Sequence, residues 1–530
     1  MWGVLAMDAR QWTAAIGGVL FLAILCAGCG GGGGAKGKVV VIGLDGATWE
    51  LIQPWIDQGD LPTLARLQGE GAWGEMQSCV PYLSPPAWAS AVTGVNPGKH
   101  NIYSFQRRLP GEVTFVNETA KSRRAQPIWN MLRPSKRRVL LLNIPMTDPP
   151  DEVDGYMVAG FPHQDKTGFT YPPELESELE GYELEELEIR LVPQREDSLL
   201  QMYHRHLRKR TEITLDWLKN EPFDLLWMVY TATDRIQHTF WTFNDPDNPH
   251  YDPRRVAIYG NAIHDFWVEQ DRALGEVLAQ IGPDVTTLIL SDHGFGPMRY
   301  DLRVQDYLRR PGSSFLPNEA DAVISLDRGD ATRLFVLTAG RDPHAIWTRA
   351  EALRIRAKLV RELREARHPA TGGRVCEEVW VNEEVFEGPY VEKGPDVVVL
   401  PEYGYFLTLG DPETAEPFTG PVPHSAALSG WHRMNGLYVA TGPNIRPGRR
   451  SADGERLYSL MDVVPTVLYA MGEPIPEGLD GEIMRGIFQP SFMQDNPPLR
   501  SGPLPMDDRQ LTQEEIDRLV ELGSISYIGD

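Results

Sequence analysis

Three aspartates and three histidines lie where apolar stretches of the chain come to an end. A set of carboxylate oxygens and imidazole nitrogens suits zinc or manganese better than calcium, which takes oxygen ligands only. Each short motif is a weak signal by itself, because Asp-x-x-x-His is more often a surface pair on a helix and Asp-His-Gly is commonly a turn. Their joint placement predicts a metal site, since ligands bind at the carboxyl edge of a parallel sheet. The six residues are Asp45, Asp234, His238, Asp292, His293 and His432.

The spacing of Asp234 and His238 has a specific structural meaning. They stand at positions i and i+4, so on a helix both side chains would lie on one face and could share one cation. On a strand they would lie on the same side but much further apart. We therefore expect the chain to turn helical after Tyr230.

A candidate nucleophile is Ser84, in the sequence Leu-Ser-Pro-Pro-Ala-Trp. A bound metal can activate a serine hydroxyl by stabilising its alkoxide, so that no histidine base is required. If Ser84 opens a helix, the neighbouring N–H groups and the helix dipole also favour phosphoryl oxygens. An ordinary capping serine, before a proline at the first helical position, is the alternative and explains the motif equally well by itself.

The elements that must position these residues are short apolar runs, each followed by a turn and by a stretch with helical spacing. This alternation is typical of a parallel sheet covered by helices. The runs are apolar throughout, as expected of strands that are buried on both faces. The sequence therefore predicts an α/β fold with a central, mostly parallel sheet flanked by helices. The predicted strands are 38–44, 138–143, 155–160, 224–230, 285–291 and 437–441.

The region between residue 299 and about residue 421 has a different texture. It contains a long charged helical stretch at 347–367 and a Val-rich strand at 396–400. We interpret it as an inserted α+β cap that packs beside the main sheet.

Two further segments predict helices without a function. The acidic run 174–188 carries Leu175 and Leu179 one helical turn apart, which indicates a solvated amphipathic helix. Near the C-terminus, a capping box at 512–515 predicts a docked helix that ends at Gly523.

The composition limits the class of protein. A chain of 530 residues that is 42% hydrophobic and 24% charged is typical of globular proteins. Its formal net charge of -23 argues against nucleic-acid binding through a broad basic face. An anionic substrate is still compatible with this charge, because metal ions can invert the field within one cleft. Cys79 and Cys376 are either one pair or two buried thiols.

The N-terminus resembles a bacterial lipoprotein signal. An apolar run at 12–26 precedes Ala27, Gly28 and Cys29, and five glycines follow. Small residues suit the signal peptidase, which would leave Cys29 to carry the lipid, and the run is shorter than the roughly 20 residues that span a bilayer. We expect an exported protein that is lipid-anchored to a bacterial membrane, facing the periplasm or the cell exterior, through a flexible tether at 30–37.

As an ordered set, the motifs resemble the alkaline phosphatase superfamily, and in particular its type I phosphodiesterase/nucleotide pyrophosphatase branch with the bacterial predicted phosphohydrolase/phosphomutase group. The resemblance runs from about Lys38 to the C-terminus, and Asn-Ile-Pro-Met-Thr at 143–147 is similar to the bacterial group. The motifs are Val-Ile-Gly-Leu-Asp-Gly at 41–46, Ser-Pro-Pro at 84–86 through Thr-Gly at 93–94 to Pro-Gly-Lys-His at 97–100, Thr-Asp to His at 233–238, Ser-Asp-His-Gly at 291–294 and Gly-Trp-His-Arg at 430–433.

The resemblance implies two divalent metal ions, usually zinc in this family, with manganese as the alternative. Two cations about 4 Å apart can clamp the attacking and leaving oxygens of an in-line displacement. Ser84 would be the nucleophile and would form a phosphoserine that water then hydrolyses. The implied ligands are Asp234, His238 and His432 for one ion and Asp45, Ser84, Asp292 and His293 for the other.

The chain departs from the family pattern at positions that bind the substrate. The asparagine that binds a phosphoryl oxygen in nucleotide pyrophosphatases is matched here by Phe105, with Gln106, Arg107 or Arg108 as candidate replacements. The family nucleophile is usually Thr, and the Pro-Pro-Ala sequence after Ser84 differs from the nucleotide-cleaving consensus. The substrate is therefore not carried over from the family. The same sequence lacks the Cys-or-Ser-x-Pro-x-Arg motif of sulfatases.

These features lead to one main hypothesis and two alternatives. The main hypothesis is a metal-dependent phosphoester hydrolase, a phosphodiesterase or pyrophosphatase rather than a monoesterase, whose partners are a phosphoester and the membrane. One alternative is a phosphotransferase, phosphomutase or phosphomonoesterase with the same site, and the other is a metal-bound surface binding protein without catalysis. The expected organisation is a signal peptide at 1–29, a tether at 30–37, a catalytic core at 38–298 and 421–490, an insertion at 299–420 and a tail at 491–530.

Overall fold

The computed structural model describes residues 37–108, 115–163, 165–185, 195–327, 330–410, 417–419, 428–454 and 456–506. The predicted signal peptide with Cys29, the tether up to residue 36 and the predicted helix at 512–523 lie outside these residues. Within the described residues, no helix combines the length and the apolar character that crossing a bilayer requires.

The strands of the described residues are given in chain order. They are β1 (Lys38–Leu44), β2 (Ala72–Gln77), β3 (Gln106–Arg108), β4 (Phe115–Asn117), β5 (Val139–Ile144), β6 (Gly155–Ala159), β7 (Thr170–Tyr171), β8 (Leu225–Tyr230), β9 (Val285–Leu290), β10 (Gly294–Arg303), β11 (Val323–Asp327), β12 (Asp330–Val336), β13 (Cys376–Val381), β14 (Val397–Pro401), β15 (Gly404–Thr408), β16 (Phe418–Thr419), β17 (Gly430–Arg433), β18 (Asn435–Thr441), β19 (Gly448–Arg449), β20 (Ala452–Asp453), β21 (Arg456–Leu457), β22 (Ile475–Glu477) and β23 (Arg500–Pro503).

The α-helices follow the same convention. They are α1 (Trp49–Gln58), α2 (Pro62–Glu70), α3 (Ser84–Thr93), α4 (Pro97–His100), α5 (Ile128–Leu132), α6 (Glu196–Asn220), α7 (Ala232–Phe240), α8 (Pro253–Tyr259), α9 (Ala262–Gln280), α10 (Val304–Arg309), α11 (Pro317–Asp321), α12 (Arg349–Arg364), α13 (Asn382–Val385), α14 (Val463–Met471) and α15 (Pro490–Asp495).

A nine-stranded sheet forms the centre of the described structure, in the order β19-β2-β18-β9-β1-β8-β5-β6-β7. Strand β1 runs parallel to both β8 and β9, and β5 runs parallel to both β8 and β6. Strand β18 is antiparallel to β9 and β2, and β7 is antiparallel to β6. The predicted α/β fold with a mostly parallel central sheet is thereby confirmed.

Helices cover both faces of the sheet because successive residues of a strand point to opposite sides. Val40, Ile42 and Leu44 of β1 belong to a core that includes residues of α1, α2, α6, α7 and α9. Val39 and Val41 belong to a second core, which includes residues of α3, α5 and α14. The helix that begins at Ser84 and the helix that carries Asp234 therefore lie on opposite faces of the sheet.

A second sheet, in the order β11-β12-β14-β13, lies within the chain that connects β10 to β17. Helix α12 packs on it through Leu359 and Leu363, which share a buried core with Val397 and Val399. Strands β10 and β17 pair antiparallel with each other. The chain therefore leaves for this sheet and returns from it through adjacent strands, and we call residues 304–429 the cap.

The amphipathic helix predicted over 174–188 is wrong for the described part of that run. A 3-10 helix spans Pro173–Glu178, and the chain then turns at Gly181, whose φ of +71° lies outside the helical region. Leu175 and Leu179 are buried, whereas Glu174, Ser177, Glu178 and Glu180 are exposed. The segment is therefore amphipathic as expected, but the long helix is absent from its described part and Glu185 is buried.

Cys79 and Cys376 are two buried free thiols, not a pair. Burial raises the pKa of both thiols to about 12. Both residues therefore contribute to the core in their protonated form.

Candidate metal centre and nucleophile

The register of three neighbouring strands brings the predicted site residues together. Strand β1 lies between β8 and β9, with Leu44 paired to Tyr230 and Gly43 paired to Leu290. All three strands are parallel and end at the same edge of the sheet. Asp45 and the segments that follow β8 and β9 consequently meet at the edge where α/β proteins bind ligands.

Asp234, His238 and His432 form the first group of candidate ligands. The chain turns helical after Tyr230 as expected, and α7 presents Asp234 and His238 on one face. His432 comes from β17. Its Nε2 atom lies 2.9 Å from Nε2 of His238 and 3.2 Å from Oδ1 of Asp234, and all three residues are buried. The three ligand atoms are close enough to bind one cation.

The second ring nitrogen of His238 determines which atom is available to a metal. Its Nδ1 atom lies 2.9 Å from the carbonyl oxygen of Gly430 and must carry the proton, because a carbonyl can only accept. Nε2 of His238 therefore offers a lone pair, which faces Nε2 of His432 and Oδ1 of Asp234. This arrangement, in which a backbone carbonyl orients a ligand histidine, is typical of metal sites.

Asp45, His293 and Asp234 form the second group found among the described residues, and they share Asp234 with the first group. Nδ1 of His293 lies 3.1 Å from the carbonyl oxygen of Gly294 and donates to it, so Nε2 carries a lone pair. That lone pair faces Oδ2 of Asp292 at 3.2 Å and Oδ1 of Asp45 at 3.6 Å. These two carboxylate oxygens are buried and have no hydrogen-bond partner in the described structure. A cation would satisfy all three atoms, so the residues fit a metal.

The charges of the site also fit a cation. Burial, reinforced by Asp292 and Asp234, raises the pKa of Asp45 well above its usual value. Burial and the charge of Asp234 raise the pKa of Asp292 to about 8. Burial alone would raise the pKa of Asp234, but His238 and His432 outweigh it and hold the pKa well below its usual range. Carboxylates that repel each other in a dry environment bind a divalent ion as charge compensation.

Ser84 lies at the start of α3, and its Oγ atom is 3.3 Å from Nε2 of His293. The hydroxyl therefore approaches the same lone pair as the carboxylates of Asp45 and Asp292. Ser84 does not cap its own helix, since the capping position is Leu83 and no side-chain cap is formed. The expected row of N–H donors is reduced, because Pro85 and Pro86 have none, and only the helix dipole and the N–H of Ser84 remain.

Trp88 is a residue of this site to which the sequence motif gave no role. Its indole Nε1 donates to Oδ2 of Asp45 over 3.0 Å, and the side chain is fully buried. Trp88 stands four residues after Ser84, on the same face of α3. That spacing was the available signal that Trp88 approaches the metal ligands.

Backbone contacts fix the turn after β1. The N–H of Gly46 donates to Oδ1 of Asp292 over 3.2 Å, and the hydroxyl of Thr233 donates to the carbonyl oxygen of Asp45 over 2.6 Å. Gly46 has a φ of +67°, which favours glycine, and an added Cβ would lie 3.3 Å from Cα of Asp234. The Asp45 turn and the first turn of α7 therefore pack against each other at close range.

Phe105, Gln106 and Arg107 make contacts with side chains outside the two groups of candidate metal ligands. The ring of Phe105 lies 5.9 Å from that of Phe161. Gln106 donates to Asn117 over 3.0 Å, and Arg107 pairs with Glu118 at 3.5 Å. Both side chains are thus engaged within the β3–β4 hairpin, and the side chain of Arg108 lies outside the described residues. The assignment of Gln106, Arg107 or Arg108 to a phosphoryl oxygen stays a prediction.

Comparison with known proteins gives one family match and several structural relatives. A model of the family "Type I phosphodiesterase / nucleotide pyrophosphatase" matches residues 39–432. Phosphonoacetate hydrolase from Sinorhizobium meliloti 1021, in complex with phosphonoformate, is similar in structure with a TM-score of 0.53 and 16% identity, over 82% of this chain and 95% of that chain. No curated protein sequence matches the chain.

A second structural relative is murine ectonucleotide pyrophosphatase/phosphodiesterase 5, as an inactive T72A variant in complex with AMP. It has a TM-score of 0.49 and 13% identity, over 84% of this chain and 98% of that chain. The family match covers most of the described structure, from the second residue of β1 to His432 on β17. The chain therefore belongs to the type I phosphodiesterase/nucleotide pyrophosphatase family of the alkaline phosphatase superfamily, a metal-dependent family whose membership supports phosphoester hydrolysis.

Proposed function

We propose that the protein hydrolyses a phosphodiester or pyrophosphate through a phosphoserine on Ser84, with two divalent cations whose mixed oxygen and nitrogen donors favour zinc. One observation carries the proposal. Ser84 Oγ lies 3.3 Å from Nε2 of His293, and the oxygens of Asp45 and Asp292 that face the same nitrogen are buried without hydrogen-bond partners among the described residues. A hydroxyl beside an unsatisfied cluster of ligand atoms is an arrangement suited to metal-assisted nucleophilic attack.

The chain's own residues have distinct roles in this reaction. Ser84 Oγ loses its proton to solvent and forms a bond to phosphorus, while the bond from phosphorus to the leaving oxygen breaks in line with it and that oxygen takes up a proton from solvent. Water then attacks the phosphoserine, which restores the serine hydroxyl and releases the phosphate or phosphomonoester. The burial of Ser84 limits the access of other nucleophiles, and α3 fixes the direction of attack.

Bound cations would supply the positive charge that the residues around Ser84 lack. When bound, they lower the pKa of the attacking hydroxyl groups and offset the negative charge of the transition state. Asp234, His238 and His432 would hold one ion, and Asp45, Asp292, His293 and Ser84 the other. The imidazole nitrogens favour zinc or manganese over calcium.

The test uses the purified full-length protein with an aryl phosphodiester and the matching monoester. Ser84→Ala is expected to lower kcat at least 1,000-fold, on the order of the loss when a nucleophile is removed, while the metal content stays near that of the wild type. Ser84→Thr, the matched control, keeps a hydroxyl and retains part of the activity. Wild-type protein quenched in acid is expected to carry a phosphoryl group on the peptide that contains Ser84.

Each alternative corresponds to its own result in this experiment. Full activity of Ser84→Ala would remove the serine from the mechanism. Transfer of the phosphoryl group to an added alcohol in preference to water would make the protein a phosphotransferase, and faster monoester turnover would make it a phosphomonoesterase. Bound metal without turnover of any phosphoester would favour a binding protein.

Export and lipid anchoring through Cys29 are a separate part of the proposal. The support is the sequence of small residues before Cys29. Expression of the full chain in a bacterial host should place it in the membrane fraction, and Cys29→Ala should leave it without lipid. An equal distribution of both proteins would remove the lipid anchor from the proposal.

A further inference from the structure

Asn143 lies at the carboxyl end of β5 in a backbone conformation that is uncommon for residues other than glycine. Its φ is +59°, in the left-handed region that asparagine adopts more readily than most residues. The pairing of β5 with β6 shifts register at this point, between Leu142 and Ile144. Bulges of this kind often lie beside functional sites, where they redirect a side chain.

The side chain of Asn143 is fully buried and contacts the neighbouring strand and the segment before α7. Its Nδ2 atom lies 3.1 Å from the carbonyl oxygen of Val229, 3.3 Å from Oγ1 of Thr231 and 3.0 Å from Oε1 of Glu185. Asn143 therefore connects the end of β5 to the end of β8 and to the start of α7.

Glu185 is the centre of these contacts. Its Oε1 atom accepts from Asn143, from the hydroxyl of Thr231 and from Nη2 of Arg210, the last at 3.0 Å. Arg210 and Glu185 are only 2% and 3% exposed at their side chains. Burial would raise the pKa of Glu185, but Arg210 and its neighbours outweigh it and lower the pKa to about 2. The carboxylate is therefore charged and paired with α6, on which Arg210 lies.

Thr231 is the capping residue of α7, yet its hydroxyl does not cap that helix. It donates to Glu185 instead, which places a carboxylate close to the positive end of the α7 dipole. Asp234 follows three residues later, in the first turn of the same helix. A displacement of this end of α7 would therefore move Asp234.

We propose that Asn143, Glu185, Arg210 and Thr231, here called the α7 anchor, are positioning residues that set the start of α7 and thereby hold Asp234 in place for metal binding. None of the four touches a ligand atom of the metal site in the contacts described. The inference rests on the proposed function, because Asp234 and His238 bind a cation only under that proposal. Groups that orient metal ligands in this way commonly change metal affinity about 10–100-fold when they are removed.

The experiment measures the affinity of the full-length protein for zinc by competition with a chromogenic chelator, without any substrate. Thr231→Val removes the hydroxyl at nearly constant shape, and Asn143→Gly removes the side chain while it tolerates the positive φ. Glu185→Gln keeps the shape but removes the charge. All three are expected to weaken the binding of one ion about 10–100-fold, and Thr231→Ser is expected to restore the wild-type affinity.

A matched control lies at the other end of the same strand. Arg137, just before β5, pairs with Glu473 over 2.6 Å, and both side chains are buried. Glu473→Gln breaks a buried pair of the same type at the opposite end of β5 from the metal site. It is expected to lower the thermal stability of the metal-free protein as Glu185→Gln does, but to leave the affinity for zinc unchanged.

The outcomes separate the anchor from the proposed function. Equal zinc affinity of the wild type, Thr231→Val and Asn143→Gly would overturn the role of the anchor, whatever happens to the melting temperature. An equal loss of zinc affinity in Glu473→Gln would also overturn it, because the effect would then be general destabilisation. A wild-type protein that binds zinc but hydrolyses no phosphoester would contradict the proposed function while the anchor could still be confirmed.

Discussion

The indole N–H of Trp88 donates to Oδ2 of Asp45 over 3.0 Å, and this contact joins the helix of the nucleophile to the end of the central strand. Trp88 and Ser84 share α3, so a change at the indole reaches both the serine and a candidate metal ligand. The hydrogen bond also holds one oxygen of Asp45 while the other faces His293.

Trp88→Phe should weaken metal binding, because Oδ2 of Asp45 would lose its donor while an aromatic ring stays at this position. The expected loss of zinc affinity is about tenfold, with a similar fall in kcat, measured by chelator competition and by phosphodiester turnover. Trp267→Phe is the control, since Trp267 is also fully buried and its Nε1 has no hydrogen-bond partner in the described structure. Unchanged affinity in Trp88→Phe would show that this contact does not orient Asp45.

Removal of metal with a chelator should abolish phosphodiester turnover and lower the melting temperature. A ligand that binds only the folded state stabilises it, and without a cation the oxygens of Asp45 and Asp292 that face His293 are buried without a hydrogen-bond partner among the described residues. Zinc or manganese should restore activity, whereas calcium should not, since calcium does not take nitrogen ligands. Activity that persists after complete metal removal, verified by elemental analysis, would contradict a metal-dependent reaction.

Gly43→Ala should destabilise the fold by about 1–3 kcal/mol. A Cβ at this position of β1 would lie 2.4 Å from Cη2 of Trp88 and 2.9 Å from Cγ2 of Val229. Both side chains are fully buried, so the packing around them must shift to admit the methyl group. Gly69→Ala is the control, because an added Cβ at Gly69 in α2 meets no atom within 4 Å and alanine favours a helix by about 0.5–1 kcal/mol. The measurement is urea denaturation of both variants, and equal stabilities would contradict the close packing of Trp88 on β1.

His100 should make the stability of the protein depend on pH. Its Nδ1 accepts from the N–H of Ile102 over 3.1 Å, so Nε2 carries the proton and donates to Ser90 Oγ over 2.9 Å. Burial lowers the pKa of His100 to about 3, from about 6.5 in an unfolded chain. Between these values the unfolded chain binds a proton that the folded chain does not, so stability is full above pH 6.5 and falls as the pH decreases towards 3.

His100→Gln tests this dependence, because glutamine can donate and accept but does not titrate in this range. The slope of stability against pH between pH 6.5 and 4 should decrease by up to about 1.4 kcal/mol per pH unit, measured on metal-free protein by thermal denaturation. The same exchange at His250, which is exposed, is the matched control. An unaltered slope in His100→Gln would mean that His100 is protonated in the folded state.

The sequence was sufficient for those parts of the site that depend on local patterns. The apolar run at 38–44 is β1 residue for residue, and the spacing of Asp234 and His238 predicted the helical turn that α7 makes. Because a polar residue directly after a buried strand must lie at the edge of a parallel sheet, the strands alone located Asp45 and Asp292. The roles of these residues as metal ligands remain predictions.

The contacts that the sequence did not reveal depend on segments that are distant along the chain. Glu185 belongs to a run whose charges indicated a solvated helix, but Gly181 turns the chain and Arg210 of α6 neutralises the buried carboxylate. Asn143 could be assigned to the end of a strand, whereas its contact with Thr231 required knowledge of the neighbouring strand. Tertiary pairing of this kind leaves no periodic pattern in the sequence.

The antiparallel pairing of β10 with β17 aligns Phe295 with His432. A strand that is translated before the cap must therefore pair with a strand that is translated after it. His432 is the last of the candidate ligands along the chain, and the cap lies entirely before it. A nascent chain on the ribosome therefore exposes the other six site residues well before His432 is translated. The first ligand group cannot be completed until the cap has been synthesised, so metal loading of that group is delayed to the final stage of translation or later.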